Sequence, residues 1–343
     1  METIRDSDSP LPPTTLQVTV PFARESMREQ LLDRRRRLEG AIGGPARSER
    51  LVTLLREVDS ALQRIDQGTY GLCDVCHEPV ERDRLMVDPL LRYCLDHLTE
   101  AQQRALQQDL DLTARIQHTL LPKRHLTFDG WETCYHYEPL GPASGDYCDL
   151  ITAETGELLF LLGDIAGKGV AASVLMAHLH AIFRSLIALH LPFEDLMARA
   201  NRIFCESIGG LHYATLICGR AGAGGALEIC NAGHCPPLWL GSEGATTLAA
   251  SGPPIGLFST SPYDVDRITL SPGDSLLLYT DGLTDSVDAS GIEYGADRLI
   301  RSAVERRQLA GADLIAGCLQ DLSAFRAGAD RLDDLTVLVV KRS

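Results

Sequence analysis

The sequence predicts an α+β protein, and three patterns support that fold class. In the C-terminal part, apolar runs of strand length such as 131–137, 213–218 and 335–340 are separated by turn-forming residues. Longer helix-period segments, at 170–189 and 193–208, stand apart from these runs. The N-terminal part combines helical periodicity with a cysteine-rich segment. Strand pairs with separately grouped helices favour α+β layers, here preceded by a helical hairpin and a small metal-binding knuckle.

The length of the chain bounds the number of folded units. At 343 residues and 45% hydrophobic content it exceeds what one core usually organises, so we expect two folded units. No apolar stretch approaches the ~20 uncharged residues of a membrane helix. Residues 1–15 are polar and proline-rich, without the apolar core of a signal peptide. We therefore expect a cytoplasmic protein with no membrane association.

The negative charge is concentrated in the C-terminal part. Of the net charge of −15, residues 1–125 hold 18 Lys+Arg against 20 Asp+Glu, which leaves 14 against 27, or −13, for residues 126–343. An acidic domain argues against nucleic acid as its substrate. A phosphorylated protein could be admitted because bound metal ions invert the local potential.

The first 67 residues predict a tail followed by a hairpin. Residues 1–20 carry Ser-Pro and Pro-Pro pairs with little periodicity, which is typical of a disordered tail. Across 21–67, apolar positions recur at helical spacing on both sides of Gly43-Gly44-Pro45, the expected hairpin tip. One apolar stripe must be covered by the first hairpin helix, by a second subunit of a homodimer, or by both. It consists of Leu51, Leu55, Val58, Leu62 and Ile65.

A metal-binding knuckle follows the hairpin. Cys73 and Cys76 form one pair, and Cys94 and His97 form a second pair after seventeen intervening residues. Four soft ligands in two such pairs suit one structural Zn²⁺ ion in tetrahedral geometry. His77 could compete for the metal, but Cys76 gives the better CxxC geometry. The other seven cysteines lie singly and are expected to be buried free thiols.

Residues 68–98 resemble the DksA/TraR zinc finger. The likeness rests on Gly68-Thr69-Tyr70-Gly71-Leu72-Cys73, on Arg84-Leu85 and on Tyr93-Cys94. In that family the finger also follows a helical hairpin, whose tip carries acidic residues that reach into RNA polymerase. The tip here has Gly, Pro, Ala, Arg and Ser at 43–48 instead. The resemblance therefore implies the fold of the module and does not carry over a contact with RNA polymerase.

Residues 99–122 predict a linker helix. The segment is rich in Gln and Leu, and it ends at Pro122 because proline cannot continue a helix. Its apolar positions do not keep one heptad, so they do not predict a long coiled coil. We expect this helix to transmit the state of the N-terminal module to the domain that follows.

Four aspartate-bearing segments mark the C-terminal domain, residues 123–343. Carboxylates brought together at strand ends need a compensating cation, and hard oxygen ligands select Mg²⁺ or Mn²⁺. With Ala114-Arg115-Ile116-Gln117 and Asn231-Ala232-Gly233-His234, these segments resemble the SpoIIE/RsbU branch of the PPM metal-dependent serine/threonine phosphatases. The segments are Ser144-Gly145-Asp146, Gly163-Asp164-Ile165-Ala166-Gly167-Lys168-Gly169, Tyr279-Thr280-Asp281-Gly282 and Asp333-Asp334-Leu335-Thr336.

The resemblance implies an α-β-β-α sandwich, two antiparallel sheets flanked by helices, with a two-metal catalytic site. Asp146 and Asp164 would hold one Mn²⁺ or Mg²⁺ ion, with help from the backbone carbonyl of Ile165. Asp164 would bridge to a second ion held also by Asp281 and Asp333. A water activated by the two metals would attack the phosphoryl group without a covalent phosphoenzyme.

Several polar residues beside these ligands leave alternatives open. Gly145 and Asp334 are candidates for contacts that orient the metal ligands, although Asp149 and Asp334 could each also be a cap or a solvated charge. Asp285 stands where the resembled sequences usually carry glutamate. His234 is either a general acid for the leaving oxygen, since imidazole titrates near neutrality, or a turn histidine with satisfied hydrogen bonds.

Two function classes follow from these patterns. The first is a phosphoserine/phosphothreonine phosphatase that acts on an anti-sigma-factor antagonist, thereby freeing a sigma factor, and is regulated by the zinc-finger module. The second is a protein whose zinc hairpin binds the transcription machinery, with the phosphatase fold as an inactive scaffold. All four principal aspartates are present, which favours the enzyme.

Overall fold

The chain forms two compact units, residues 1–105 and 106–343. The tail predicted over 1–20 and the hairpin tip at 43–48 lie outside the residues that the structure describes. This computed structural model describes residues 21–42, 49–81, 84–85, 88–153, 155–208 and 212–343.

Two helices begin the N-terminal unit, α1 (Pro21–Ile42) and α2 (Glu49–Asp66). They run antiparallel, as the predicted hairpin requires. Arg35 Nε of α1 lies 2.9 Å from Asp59 Oδ1 of α2. Both side chains of this ion pair are more than 40% exposed, so it contributes little stability and apolar packing must hold the hairpin together.

The apolar stripe of α2 is covered by α1. Val58 and Leu62 pack in one cluster with Leu31 and Leu38 of the first helix. Tyr70 and other side chains of the knuckle join the same cluster, so hairpin and knuckle share one small core. The first hairpin helix therefore covers Val58 and Leu62, and it covers Leu51, Leu55 and Ile65 in part.

The linker helix α3 (Glu100–Leu120) crosses the boundary between the two units. It begins in a reciprocal cap, in which the Gln102 N–H donates to Thr99 Oγ1 at 3.3 Å and the Thr99 N–H donates to Gln102 Oε1 at 3.0 Å. The helix ends just before Pro122. Most of its surface is exposed, and Gln117 is its one buried residue.

Two antiparallel sheets form the centre of the C-terminal unit. Within the described residues, sheet one has the strand order β1-β2-β11-β10-β7-β8 and sheet two has the order β3-β4-β5-β6-β9. The strands are β1 (His125–Phe128), β2 (Trp131–Glu138), β3 (Asp146–Thr152), β4 (Leu158–Ile165), β5 (Ala214–Ala221), β6 (Ala226–Ala232), β7 (Leu238–Gly241), β8 (Gly244–Thr247), β9 (Asp266–Thr269), β10 (Ser275–Tyr279) and β11 (Leu335–Arg342).

Strand alternation divides the apolar side chains into three layers. Along β4, Phe160 and Leu162 face the layer between the two sheets, whereas Leu159 and Leu161 face the helices that cover sheet two. Both faces of β4 are thus buried, and its apolar run is continuous. Each such side chain stabilises the fold by about 1.5–3 kcal/mol.

Helices cover the outer face of each sheet. Helices α4 (Gly169–Ile187) and α5 (Phe193–Ile208) pack on sheet two, whereas α7 (Ala296–Arg306) and α8 (Gly311–Arg326) pack on sheet one. A short helix, α6 (Asp281–Thr284), follows β10. The predicted α-β-β-α sandwich is confirmed.

Helix α4 is also apolar enough, by length and composition, to cross a membrane, with a mean hydropathy of 1.6. Leu179 and Phe183 of this helix are buried in the core shared with β3 and β4. Its apolar character is therefore accounted for by packing within the C-terminal unit.

Candidate active site and metal centres

The carboxylates meet because their strands end at the same place. Asp146 on β3 lies directly opposite Asp164 on β4 in the antiparallel register. Asp281 begins α6 directly after β10, and Asp333 lies two residues before β11, the antiparallel neighbour of β10. A Cβ at Gly282 would lie 1.8 Å from the carbonyl oxygen of Asp334, so only glycine permits this approach of the two segments.

Burial and mutual repulsion oppose the ionisation of these carboxylates. Burial, followed by the charges of Asp281, Asp333 and Asp334, raises the pKa of Asp164 to about 7. Burial and then Asp164 raise the pKa of Asp146 well above its usual range. Several carboxylates that resist ionisation together form a donor set that fits hard divalent cations, whose charge would offset the repulsion.

Two hydroxyl groups fix the carboxylate of Asp146. Thr280 Oγ1 donates to Asp146 Oδ2 at 3.1 Å, and Thr336 Oγ1 donates to the same oxygen. The Thr336 N–H in turn donates to Thr280 Oγ1 at 3.0 Å. Residues of β3 and of the ends of β10 and β11 are thereby joined in one buried network, which limits the rotation of Asp146.

Lys168 is a cation in direct contact with the cluster. Its Nζ donates to Asp333 Oδ2 at 2.7 Å and to the carbonyl of Leu332 at 3.1 Å. The side chain of Lys168 is 64% exposed, so its ammonium group remains accessible from solvent. A positive charge therefore lies beside Asp333 at the mouth of the site.

Asp334 accepts hydrogen bonds from the backbone that precedes Asp146. Its Oδ1 accepts the N–H of Leu140 at 2.7 Å, and its Oδ2 accepts the N–H of Gly145 at 3.1 Å. Gly145 lies so close to the site that a Cβ there would be 3.1 Å from Asp164 Oδ1 and 3.2 Å from the Ile165 carbonyl oxygen. The structure thus places Gly145, Ile165 and Asp334 beside the principal aspartates.

Asp149 belongs to a different site from Asp146. It is fully buried and receives two hydrogen bonds from Arg184 of α4, at 2.8 and 2.6 Å, while His180 Nδ1 lies 3.4 Å from its Oδ2. Asp149 is three positions after Asp146, an odd offset, so the two side chains leave β3 on opposite faces. Asp149 is an ion-pair partner beneath α4 and is not available to a metal held by Asp146.

His234 is buried, which restricts the chemistry it can perform. Its Nδ1 lies 2.8 Å from Thr215 Oγ1, and its backbone N–H donates to Asn231 Oδ1 at 2.8 Å. Burial lowers the pKa of His234 to about 4. Of the two roles open from the sequence, this geometry favours the buried turn histidine, with one difference from the expectation: Nδ1 has a hydrogen-bond partner, whereas the buried Nε2 has none among the described residues.

Asp285 caps a turn near the cluster. Its Oδ1 accepts the hydroxyl of Thr284 at 3.0 Å, and its charge contributes to raising the pKa of Asp281, after the larger effect of burial. Asp285 therefore influences the site through its charge.

The second cluster lies in the N-terminal unit. One ligand atom each of Cys73, Cys76, Cys94 and His97 can be chosen so that all lie within 4.8 Å of one another. Cys94 Sγ is 3.2 Å from His97 Nδ1 and 3.8 Å from Cys76 Sγ. His77 is exposed and has a positive φ of 60°, so it serves the turn after Cys76. Three thiols and one imidazole within this distance fit a tetrahedral zinc ion.

Two known protein families match parts of this chain. A sequence model of the stage II sporulation protein E (SpoIIE) family matches residues 154–343, more than half of the chain. The chain belongs to the SpoIIE family. A model of the prokaryotic DksA/TraR C4-type zinc finger matches residues 68–96. Both resemblances inferred from the sequence are thereby confirmed.

Named relatives of this SpoIIE-family chain include proteins of quite different length. It is 26% identical over 264 residues to protein IcfG of Synechocystis sp., which covers 68% of this chain and 42% of IcfG. It is 20% identical over 264 residues to the phosphoserine phosphatase RsbU of Bacillus subtilis, which covers 75% of this chain and 78% of RsbU. The chain thus spans less than half the length of IcfG and most of the length of RsbU.

Solved structures of low sequence identity share the sandwich fold. The SiaA-PP2C domain of Pseudomonas aeruginosa aligns with a TM-score of 0.62 at 18% identity, over 71% of this chain and 100% of that domain. The RsbU and RsbW domains of a Mycobacterium tuberculosis protein align with a TM-score of 0.54 at 25% identity, over 65% of this chain and 61% of that one. The C-terminal unit therefore has the PP2C-type fold.

The zinc finger of this SpoIIE-family chain departs from its family in one ligand. The matching family is named for four cysteines, whereas the fourth ligand position here is His97, directly after the matched range. A Cys₃His set is also a tetrahedral zinc site, so the substitution is compatible with the predicted metal.

Four residues around the active site received no role from the sequence. Thr280 and Thr336 flank the aspartates, and their hydroxyls become important only because β10 and β11 pair. Lys168 lies within the glycine-rich segment, where its contact with Asp333 depends on residues 165 positions away. Gln117 has no local signal beyond its place in the Ala114-Arg115-Ile116-Gln117 motif.

Proposed function

We propose that this protein is a metal-dependent phosphatase that hydrolyses phosphoserine or phosphothreonine on a regulatory protein. The observation that carries the proposal is the convergence of Asp146, Asp164, Asp281 and Asp333 at adjoining strand ends, with pKa values raised for the first three by burial and mutual repulsion. Membership of the SpoIIE family and the names of the relatives RsbU and RsbP, both phosphoserine phosphatases, support the same activity.

Each principal aspartate has a distinct position in the proposed site. Asp146 and Asp164, with the Ile165 carbonyl, would hold one Mn²⁺ or Mg²⁺ ion, and Asp164, Asp281 and Asp333 the other. When bound, the two ions would supply the activation of water and the charge neutralisation that phosphoryl transfer requires. Asp164 lies opposite Asp146 and within the field of Asp281 and Asp333, which suits it to be shared.

The surrounding side chains prepare the site for an anionic substrate. Thr280 and Thr336 hold the Asp146 carboxylate in one orientation. Lys168 presents an exposed ammonium group beside Asp333 and would attract a phosphoryl group toward an otherwise acidic unit. His234, buried and bonded to Thr215, would support β5 and is not the proton donor in this scheme.

The substrate we propose is a phosphorylated anti-sigma-factor antagonist in the cytoplasm. The two Bacillus subtilis relatives are phosphoserine phosphatases, and a folded phosphoprotein suits a site that lies open at strand ends. We further propose that the N-terminal zinc-finger unit regulates the activity and is a route to homodimerisation through its helices. Its zinc ion is structural in this scheme.

The test is a hydrolysis assay of the full-length chain on a phosphoserine peptide, with and without Mn²⁺ or Mg²⁺. We expect hydrolysis that depends on the added ion and disappears in Asp164→Asn. Asp313→Asn, the same change at an exposed helix start, is the matched control and should hydrolyse the peptide normally. Metal-independent hydrolysis, or none with either ion, contradicts the proposal.

The second candidate is a zinc-finger protein that binds the transcription machinery with an inactive phosphatase scaffold. The DksA/TraR match supports the finger that this candidate needs and does not itself supply the contact with RNA polymerase. The same assay separates the two, because the scaffold would bind no catalytic metal and hydrolyse nothing. A pull-down of RNA polymerase by the full-length chain, lost in Cys73→Ser, is the result that this alternative expects.

A further inference from the structure

Gln117 is buried, although most of the helix that carries it is exposed. It is 5% exposed, whereas the preceding Ile116 is 53% exposed. A buried primary amide costs free energy unless both its oxygen and its nitrogen are hydrogen-bonded. Its burial therefore requires a specific polar partner.

That partner is the backbone of Ser144. Gln117 Nε2 donates to the Ser144 carbonyl oxygen at 2.7 Å, and the Ser144 N–H donates to Gln117 Oε1 at 3.0 Å. Ser144 is itself fully buried, so the two bonds lie away from water. A reciprocal pair of this kind fixes the peptide groups on both sides of Ser144, because neither group has another partner to which it can turn.

The fixed backbone leads directly to a proposed metal ligand. Ser144 Oγ accepts the N–H of Asp146 at 3.0 Å, and the intervening Gly145 donates its N–H to Asp334 Oδ2 at 3.1 Å. The segment is thus held by α3 on one side and by the residue before β11 on the other. With so little space between Gly145 and Asp164, a shift of this segment would change the distance between the two ligand carboxylates.

We propose that Gln117 is a positioning residue that sets the place of Asp146 relative to Asp164 and thereby determines divalent-cation affinity. The inference rests on the proposed function, in which these two aspartates are metal ligands. Side chains that orient metal ligands without touching the metal typically change metal affinity by about 10- to 100-fold when removed. Because α3 begins in the N-terminal unit, a displacement along this helix would act on Asp146 through Gln117.

The experiment measures Mn²⁺ binding to the full-length chain by isothermal titration calorimetry. Gln117→Met keeps the length of the side chain but can make neither hydrogen bond. Gln108→Met is the matched control, since Gln108 is exposed on the same helix. We expect Mn²⁺ affinity to fall by about 10- to 100-fold in Gln117→Met and to stay at the wild-type value in the control. The Mn²⁺ concentration for half-maximal activity should rise by the same factor, with KM for a phosphoserine peptide unchanged.

A purely structural role gives a different result. It would lower the thermal stability of the C-terminal unit, which contains both tryptophans of the chain, and leave the Mn²⁺ affinity of the folded protein unchanged. That outcome overturns the proposal. If Gln117→Met does not fold, Gln117→Asn decides by the same titration, because its amide is uncharged but one methylene too short to reach both backbone groups of Ser144. Unchanged Mn²⁺ affinity in that variant would also overturn the proposal.

The titration also separates this inference from the proposed activity. If the wild-type chain binds Mn²⁺ but does not hydrolyse phosphoserine, the proposed phosphatase activity is wrong. The role of Gln117 is then still decided by the Mn²⁺ affinity of Gln117→Met. A wild-type chain that binds no Mn²⁺ overturns both.

Discussion

The two candidate metal centres differ in what the surrounding fold supplies. In the knuckle, four ligand atoms within 4.8 Å of one another come from short turns that share one small apolar cluster with the hairpin. The carboxylate cluster stands at the strand ends of a sandwich whose three apolar layers are complete without it. We therefore expect a metal bound in the knuckle to be coupled to folding, and a metal bound among the carboxylates to be coupled to chemistry.

The pKa values of the candidate ligands can be compared between the two centres. Burial opposes ionisation of Cys73, but backbone N–H groups of Cys76, Cys94 and Val75 outweigh it and lower the pKa of this thiol to about 6. For Asp164, burial and neighbouring aspartates act together and raise the pKa to about 7. Backbone donors thus favour the thiolate of Cys73, whereas burial and the side chains of Cys73 and Cys76 raise the pKa of Cys94 to about 11. In both centres, full ionisation of the ligands therefore requires a bound cation, soft in the knuckle and hard among the carboxylates.

The largest effect that we expect comes from replacing one proposed metal ligand in the C-terminal unit. We expect Asp164→Asn and Asp281→Asn to lower Mn²⁺-dependent turnover by about a thousandfold, because several kcal/mol of charge stabilisation depend on each ligand. Asp164, placed to serve both ions, should be the more damaging. Tryptophan fluorescence should show an intact fold in both variants. Near-normal turnover in both would refute the catalytic assignment.

In the knuckle, we expect loss of a ligand to affect folding. We expect one zinc ion per chain in the wild type and none in Cys73→Ser, because loss of one thiolate from a four-ligand site removes most of its affinity. The knuckle should lose its protection from hydrogen exchange. Trp131 and Trp239 lie in the C-terminal unit, so their fluorescence should report no change there.

Elemental analysis and hydrogen exchange measured on the same sample check this prediction. Cys205→Ser, a change of the same type outside the knuckle, is the control and should retain the zinc. If both units unfold together in Cys73→Ser, the zinc ion does not serve the folding of the knuckle alone, and the distinction between the two metal centres is wrong.

A third test asks whether the two units communicate through the linker helix. Leu112 is 49% exposed, so its replacement by proline acts on the helix rather than on the core. A proline inside α3 costs about 3 kcal/mol and kinks the helix. We expect Leu112→Pro to lower turnover severalfold without touching a proposed metal ligand, while Leu112→Ala stays near wild type. Equal turnover of all three proteins on one phosphoprotein would remove the linker from the regulatory scheme.

The last expected effect is one on stability alone and concerns pH and His234. The folded pKa of about 4 lies below the usual unfolded value of about 6.5. Between these values the unfolded chain binds a proton that the folded chain does not, so stability is fully present above about pH 6.5 and is lost as pH falls toward 4. The loss amounts to about 3 kcal/mol for this shift.

We therefore expect His234→Gln to flatten the dependence of C-terminal unfolding on pH within this window, measured by urea titration with tryptophan fluorescence. His212→Gln changes an exposed histidine and should leave the curve as in the wild type. An unchanged slope in His234→Gln would mean that the pKa of His234 is the same in the folded and the unfolded chain, contrary to the prediction.

The major helices and the strand runs inferred from the sequence are present in the structure, because both depend on local periodicity. The segment at 193–208 forms α5, and the run at 335–340 forms most of β11. Helix α7 was not anticipated, although Leu299, Ile300, Ala303 and Val304 follow helical spacing between its three arginines, so the sequence did carry the signal. Strands β7 and β8 were also missed, because each has only four residues and depends on pairing with its neighbour.

The sequence by itself determined the ligand types, their order and the two families, since those are properties of short contiguous segments. Only the tertiary structure decided which acidic residue faces which layer: Asp149 pairs with Arg184, whereas Asp146 meets Asp164 across the strands. It also decided that His234 is buried and that Gln117 bonds Ser144. Burial, strand register and contacts between residues far apart in sequence arise when elements pack together, so no local pattern encodes them.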